Sequence, residues 1–249
     1  MTTAGKLNCY VYQGEFVMTI DEKAVLDKLF RERSRKHAER KPTPLDPEGF
    51  VKAKVAASYR TDAEQLYARA EASLRDSSLP TTKYSMLSKI FVDILMSFEC
   101  SLKSLIISLS KSDESPEQAY KEARGCGHKI GKLCKKVQGR SYNRLEFVSS
   151  KEENMLHEAG DIGIFVRYES DALKLKIGVQ DDRLFSKPNS MDKTIRSEEW
   201  ICTMLDLSYK LSAIAHESGS RYMARYLNTT GTDREKGNQR LKQFIEDAL

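Results

Sequence analysis

Apolar side chains recur every three or four residues along most of the chain, the spacing of helices that bury one face. The longest stripe runs from Tyr84 to Leu109, where Leu87, Phe91, Ile94, Phe98, Leu102, Leu105 and Leu109 share a face that Ile90, Leu95 and Ile106 widen. It predicts a central core helix. Upstream, Asp46 and Pro47 form an N-cap and first-turn pair, and Phe50, Val51, Val55, Tyr59, Leu66, Tyr67 and Leu74 continue at helical spacing to about Arg75. Downstream, Ser115-Pro116-Glu117-Gln118 has capping-box spacing and opens a helix to about Val137 through Ala119, Ala123, Ile130 and Leu133. Ser150 with Glu153 starts another over Met155, Leu156, Ala159 and Ile162. Helical spacing returns from about Thr194 to His216 with Trp200, Ile201, Met204, Leu205, Leu211 and Ile214, and Leu241, Phe244 and Ile245 supply a short amphipathic tail.

Two stretches depart from this period. Leu7 to Tyr12 and Glu15 to Ile20 read as short strands around Gln13-Gly14, and the helix that follows, carrying Val25, Leu26, Leu29 and Phe30, ends in a basic run. Ile164 to Tyr168 and Leu173 to Ile177 alternate around Glu169-Ser170-Asp171, which predicts a small β-hairpin. The fold class is therefore an all-α helical bundle with a minor β element near Ile164 to Val179. The Pro42-Thr43-Pro44 break divides an N-terminal appendage, 1–45, from the bundle domain, 46–249. Gly125, Gly127 and Gly131 are unusual inside a helix, where each costs roughly 1 kcal/mol relative to Ala. Either another backbone or a ligand comes very close there, or the helix is broken.

Composition narrows the function classes. No apolar run reaches the roughly 20 residues of a bilayer span, and the first residues carry no secretory pattern, so a cytoplasmic chain without a membrane partner is expected. The five cysteines are scattered and never form a C-x-x-C pair, which argues against a disulfide framework and a zinc ribbon. There is no phosphate loop, dinucleotide fingerprint, H-E-x-x-H or nucleophile elbow. His157, Glu158 and Asp161 read as solvent-exposed rather than metal-ligating. No cofactor and no metal are expected.

The net charge is only +5, with 41 Lys and Arg against 36 Asp and Glu, so where the charge sits matters more than its sum. Between Arg124 and Arg144 the chain holds seven basic residues, Arg124, Lys129, Lys132, Lys135, Lys136, Arg140 and Arg144, and no acid. Such a face neutralises phosphates, and Tyr142 and Asn143 can stack on or hydrogen-bond bases; a solvated surface helix is the equally weighted alternative. A second basic run, Lys28 to Lys41, is interleaved with Glu32 and Glu39 and reads as a solvated face. Its Arg31 and His37 carry little weight.

Within the first run, Arg124 and His128 lie four residues apart and share one face of the predicted helix. An imidazole can move a proton near neutral pH and a guanidinium can stabilise a phosphorane, so the pair suits metal-free RNA cleavage. A structural histidine that caps a carbonyl is the competing reading. Glu99 and Lys103 have the favourable orientation of a helical ion pair; alternatively they flank the cleft of His128, the carboxylate orienting the imidazole and the ammonium contacting phosphate.

Taken in order, Phe98-Glu99-x-x-Leu102-Lys103-x-Leu105 on a long apolar helix, Gly127-His128 with Leu133 on the next, and then Val166-Arg167-Tyr168 resemble the landmarks of the HEPN-like helical proteins of bacteria. The resemblance covers roughly residues 84–216. It implies a compact helical bundle, commonly a homodimer, and either a metal-independent endoribonuclease of a toxin, defence or RNA-processing system or a protein that only binds. Carried onto this chain it implies Arg124, His128, Glu99 and Lys103 in the cleft, with Arg167 and Tyr168 near the groove. Here Gly125, Cys126 and Gly127 separate Arg124 from His128, whereas the family's nucleases set the two further apart. RNA is the expected partner; a non-catalytic interaction module that meets an acidic partner protein is the alternative.

Overall fold

The computed structural model describes residues 46–75, 83–141, 148–162, 198–224 and 231–248, all within the unit Thr43–Leu249. Among them are seven helices and no strand: α1 (Pro47–Arg75), α2 (Lys83–Ser108), α3 (Pro116–Gly125), α4 (Ile130–Arg140), α5 (Ser150–Ile162), α6 (Glu198–Ala224) and α7 (Gly231–Ala248). The chain is an all-helical bundle over these residues. The predicted appendage 1–45 and the hairpin near Ile164 to Val179 lie outside them.

The apolar stripe of α2 is the core. Leu87, Ile90, Phe91, Ile94, Leu95, Phe98, Leu102, Leu105 and Ile106 are all buried, and α1, α3, α4 and α6 pack around them. The closest partner is α1, which runs antiparallel to it. Ala56, Ala63 and Ala70 recur every seventh residue on α1 and are buried, while the larger Val55, Tyr59, Tyr67 and Leu74 flank them and are only partly covered. Small side chains let the two backbones approach until Ser97 and Ser104 of α2 donate to the carbonyls of Ala63 and Ala56, each at 2.9 Å. At one end of this seam Lys52 is 2% exposed and its ammonium donates to the Lys111 carbonyl at 2.8 Å, capping the exit from α2. Arg69 pairs with Asp93 further along.

Helix α6 lies alongside α2 in the same sense, with Trp200 against Phe91 at 5.5 Å between ring centroids and Ser208 donating to Ser97 at 2.8 Å. Helix α7 is a full helix rather than a short tail; Phe244 is buried, but Ile245 is 47% exposed and is not a core residue. Arg240 ties it to Glu48 of α1 and Glu117 of α3.

Two local expectations are corrected. The helix predicted from Ser115 to about Val137 is two helices, α3 and α4, because Gly127 adopts φ +57° and Lys129 is extended between them. Its start is as predicted, since Ser115 and Gln118 exchange both bonds of a capping box. The cap of α5 falls one residue earlier than predicted, on Ser149, whose hydroxyl accepts from the Glu152 amide while the Glu152 carboxylate accepts from the Ser149 amide at 2.6 Å. The three glycines also separate by role. A Cβ on Gly131 would come within 2.9 Å of the His157 ring, so this is a close approach between α4 and α5. Gly125 faces open space and Gly127 supplies the turn.

Candidate functional site

Glu99 and Lys103 sit one turn apart on α2, and both are buried. The carboxylate is shared: Oε1 accepts from Lys103 Nζ at 2.6 Å, and Oε2 lies 2.6 Å from Nδ1 of His128. His128 stands in the turn between α3 and α4 that Gly127 creates, and its side chain is 53% exposed. An ionised carboxylate can only accept, so Nδ1 donates to Glu99, and in the neutral imidazole Nε2 presents its lone pair away from that contact. Among the described residues nothing occupies Nε2. The ammonium of Lys103 bonds the Glu99 carboxylate in a buried setting and lies 5.7 Å from the centroid of the Tyr59 ring.

Arg124 occupies the last turn of α3, just before this turn, and packs on Tyr120 with its guanidinium 5.5 Å from the ring centroid. Tyr120 is held between Tyr59 of α1 and Phe244 of α7, at 6.5 and 5.5 Å between centroids. Burial first, and then the neighbouring Tyr120, raise the Tyr59 phenol well above its ordinary range, against the opposing pull of Arg124. Tyr59 therefore stays neutral. Burial, reinforced by Glu99, likewise pushes the Cys100 thiol up to about 12, which removes it as a nucleophile.

Of the four residues predicted to act together, Glu99, Lys103 and His128 are joined, and Arg124 contacts Tyr120 instead. Glu99 contacts His128 at Nδ1. Lys103 does not project towards a ligand: its ammonium is spent on Glu99, which a phosphate contact would have to displace. Arg124 and His128 do not share a helical face, because the helix ends at Gly125, and no bond joins them among the described residues.

The basic run divides as sharply. Arg140 is clamped between Glu114 and Glu122, and Lys136 bonds Glu122 at 2.6 Å, so both are neutralised within the chain. Lys129, Lys132 and Lys135 are exposed and have no ion-pair partner among the described residues. Tyr142, Asn143, Arg144, Arg167 and Tyr168 lie outside the described residues. Sequence reasoning missed Tyr59, Tyr120, Glu114 and Glu122, and no spacing along the chain signalled the joint action of the two acids, since Glu114 precedes the cap of α3.

No described residues form a group of His, Cys, Asp and Glu suited to a metal ion, and no described helix is long and apolar enough to cross a membrane. No protein-family model, curated protein or solved structure matches the chain.

Proposed function

We propose that the protein is an RNA-binding helical bundle of the HEPN-like kind in which His128 moves the proton in metal-independent strand cleavage. The observation that carries this reading is the split use of one buried carboxylate: Glu99 holds His128 by Nδ1 and Lys103 by its ammonium, and Nε2 is left to take a proton. In the reaction the 2′-hydroxyl of the strand gives its proton to Nε2 and attacks the adjacent phosphorus. The bond from phosphorus to the 5′-oxygen breaks, that oxygen takes a proton from the imidazolium, and a cyclic phosphate remains. Arg124 and the unpaired lysines beside the turn supply positive charge for the phosphorane.

The test incubates the purified protein with mixed cellular RNA in EDTA. His128→Ala is expected to lower cleavage by about 10² to 10⁴ while the protein stays folded, since the side chain is half exposed. Arg124→Ala is expected to weaken both binding and rate. Cleavage that requires magnesium, or that survives His128→Ala unchanged, rejects the mechanism.

A second reading is favoured by the burial of Glu99 and Lys103: the trio is a clasp that fixes the α3–α4 turn on α2 in a non-catalytic interaction module with an acidic protein partner. Under that reading the protein ignores RNA and copurifies in fixed ratio with a protein. A homodimer is part of the HEPN-like proposal, and light scattering at micromolar concentration tests it. Gly131 does not argue for it, since it faces His157 of the same chain.

A further inference from the structure

Beside the turn, an open cleft of about 1410 Å³ lies between the loop after α2 and the faces of α3 and α4. It exceeds the roughly 300–1,000 Å³ of ordinary small-molecule pockets, which suits a length of polymer better than a metabolite. Apart from Leu109, Cys126 and two glycines, every lining side chain is polar or charged, and none is aromatic. Bases would find no aromatic ring to stack on in this wall. Of the three acids in the wall, Glu114 and Glu122 are taken up by Arg140 and Lys136, and Asp113 has no ion-pair partner among the described residues. The ammonium groups of Lys111, Lys132 and Lys135 remain without ion-pair partners among the described residues and outnumber the one free acid; Lys132 and Lys135 lie on the first turns of α4, just after His128. The Ser110 hydroxyl in the same wall is buried and makes no hydrogen bond.

We infer that this cleft carries the sugar-phosphate backbone of a single RNA strand, read without regard to sequence, with Lys132 and Lys135 as its phosphate contacts. Resting on the RNA-binding reading above, the inference adds the path of the strand and a division of labour in the basic run. Lys132 and Lys135 bind, whereas Lys136 and Arg140 hold the wall in place.

The test measures fluorescence anisotropy of a labelled 2′-O-methyl oligouridylate, which cannot be cleaved, across a range of salt concentrations. The double variant Lys132→Gln with Lys135→Gln removes two phosphate contacts. Its slope of log affinity against log salt is expected to shrink by about 1.4, and affinity near 0.1 M salt to fall on the order of 20-fold. A control with the same charge change elsewhere, Lys54→Gln with Lys151→Gln, is expected to bind as wild type does. Wild-type binding that the Lys132 and Lys135 substitutions leave unchanged overturns the path while RNA binding itself stands; a wild type that binds no oligonucleotide overturns both. Poly-glutamate of matched charge that competes as well as unlabelled RNA overturns the assignment to a phosphodiester backbone.

Discussion

The seam between α1 and α2 and the face made by α3 and α4 use small residues to opposite ends. Along the seam, Ala56, Ala63 and Ala70 draw two helices together, and Ser97 and Ser104 spend their hydroxyls on carbonyls of the facing helix. Across the α3–α4 face, Gly127 interrupts the chain, and the charged side chains around it are spent on one another or left to solvent. A uniform close-packed interface has no room for a ligand, whereas a broken helix exposes a turn and the open wall beside Gly125. The rigid seam holds Glu99 and Lys103 still; the broken face brings His128 to them.

The largest expected effect falls where the two regions meet, at the charges that α2 presents to the α3–α4 turn. Glu99→Ala strands the Lys103 ammonium in a dry site and is expected to lose about 3–5 kcal/mol in chemical denaturation. Pairing Glu99→Gln with Lys103→Met should recover most of that stability, yet without restoring any activity that depends on His128. Recovery of both would remove Glu99 from the proton-transfer apparatus.

Next comes the seam. Ala63→Leu forces α1 and α2 apart and is expected to cost about 1–3 kcal/mol, read as a lower denaturation midpoint; an unchanged midpoint would mean that the helices are not in close contact there. At the turn, Gly127→Ala places a Cβ in left-handed backbone and should cost about 1–2 kcal/mol. Gly125→Ala, two residues earlier and facing open space, should be neutral or stabilising by up to about 1 kcal/mol. Equal losses at both glycines would contradict the break at Gly127.

The smallest contrast is in acid. Burial raises the carboxyls of Glu122, Glu152 and Glu117, but hydrogen bonds from Lys136 and Arg140, from Lys210 and Ser149, and from Arg240 outweigh it, so all three fall below the ordinary value of 4.5. A carboxyl with a lowered folded pKa adds stability above its unfolded value and loses it as pH falls through the folded one. Thermal melting should therefore decline below about pH 4.5, and Lys210→Met should reduce that decline. Ser97→Ala, on the seam, is expected to lower stability by about 0.5–1.5 kcal/mol equally at all these pH values. A pH-dependent loss at Ser97 would erase the distinction between the two regions.

Much of the helical layout was legible because burial on one side of a helix repeats at the helical period: the stripe from Leu87 to Ile106, the capping box at Ser115 and the long helix after Pro47 need only local information. The break after Gly125 was visible as a cluster of glycines but not placed, since a helix tolerates single glycines and only the tertiary fit selects which one turns. Glu99, Lys103 and His128 could be named as residue types at suggestive places. Their common bonds could not be read, because the Glu99–His128 contact spans 29 residues and depends on how α3 and α4 return against α2.

Sequence by itself thus determined most of the described helices, which follow from spacing along the chain, and the overall basic balance, which follows from composition. Only the tertiary structure decided which charges are spent. Lys136 and Arg140 stand in the same basic run as Lys132 and Lys135, yet Glu114 and Glu122 reach the first two and leave the other two unpaired among the described residues. Whether an ion pair forms is set by distances between elements across a few ångströms of low-dielectric space, and spacing along the chain carries no record of those distances.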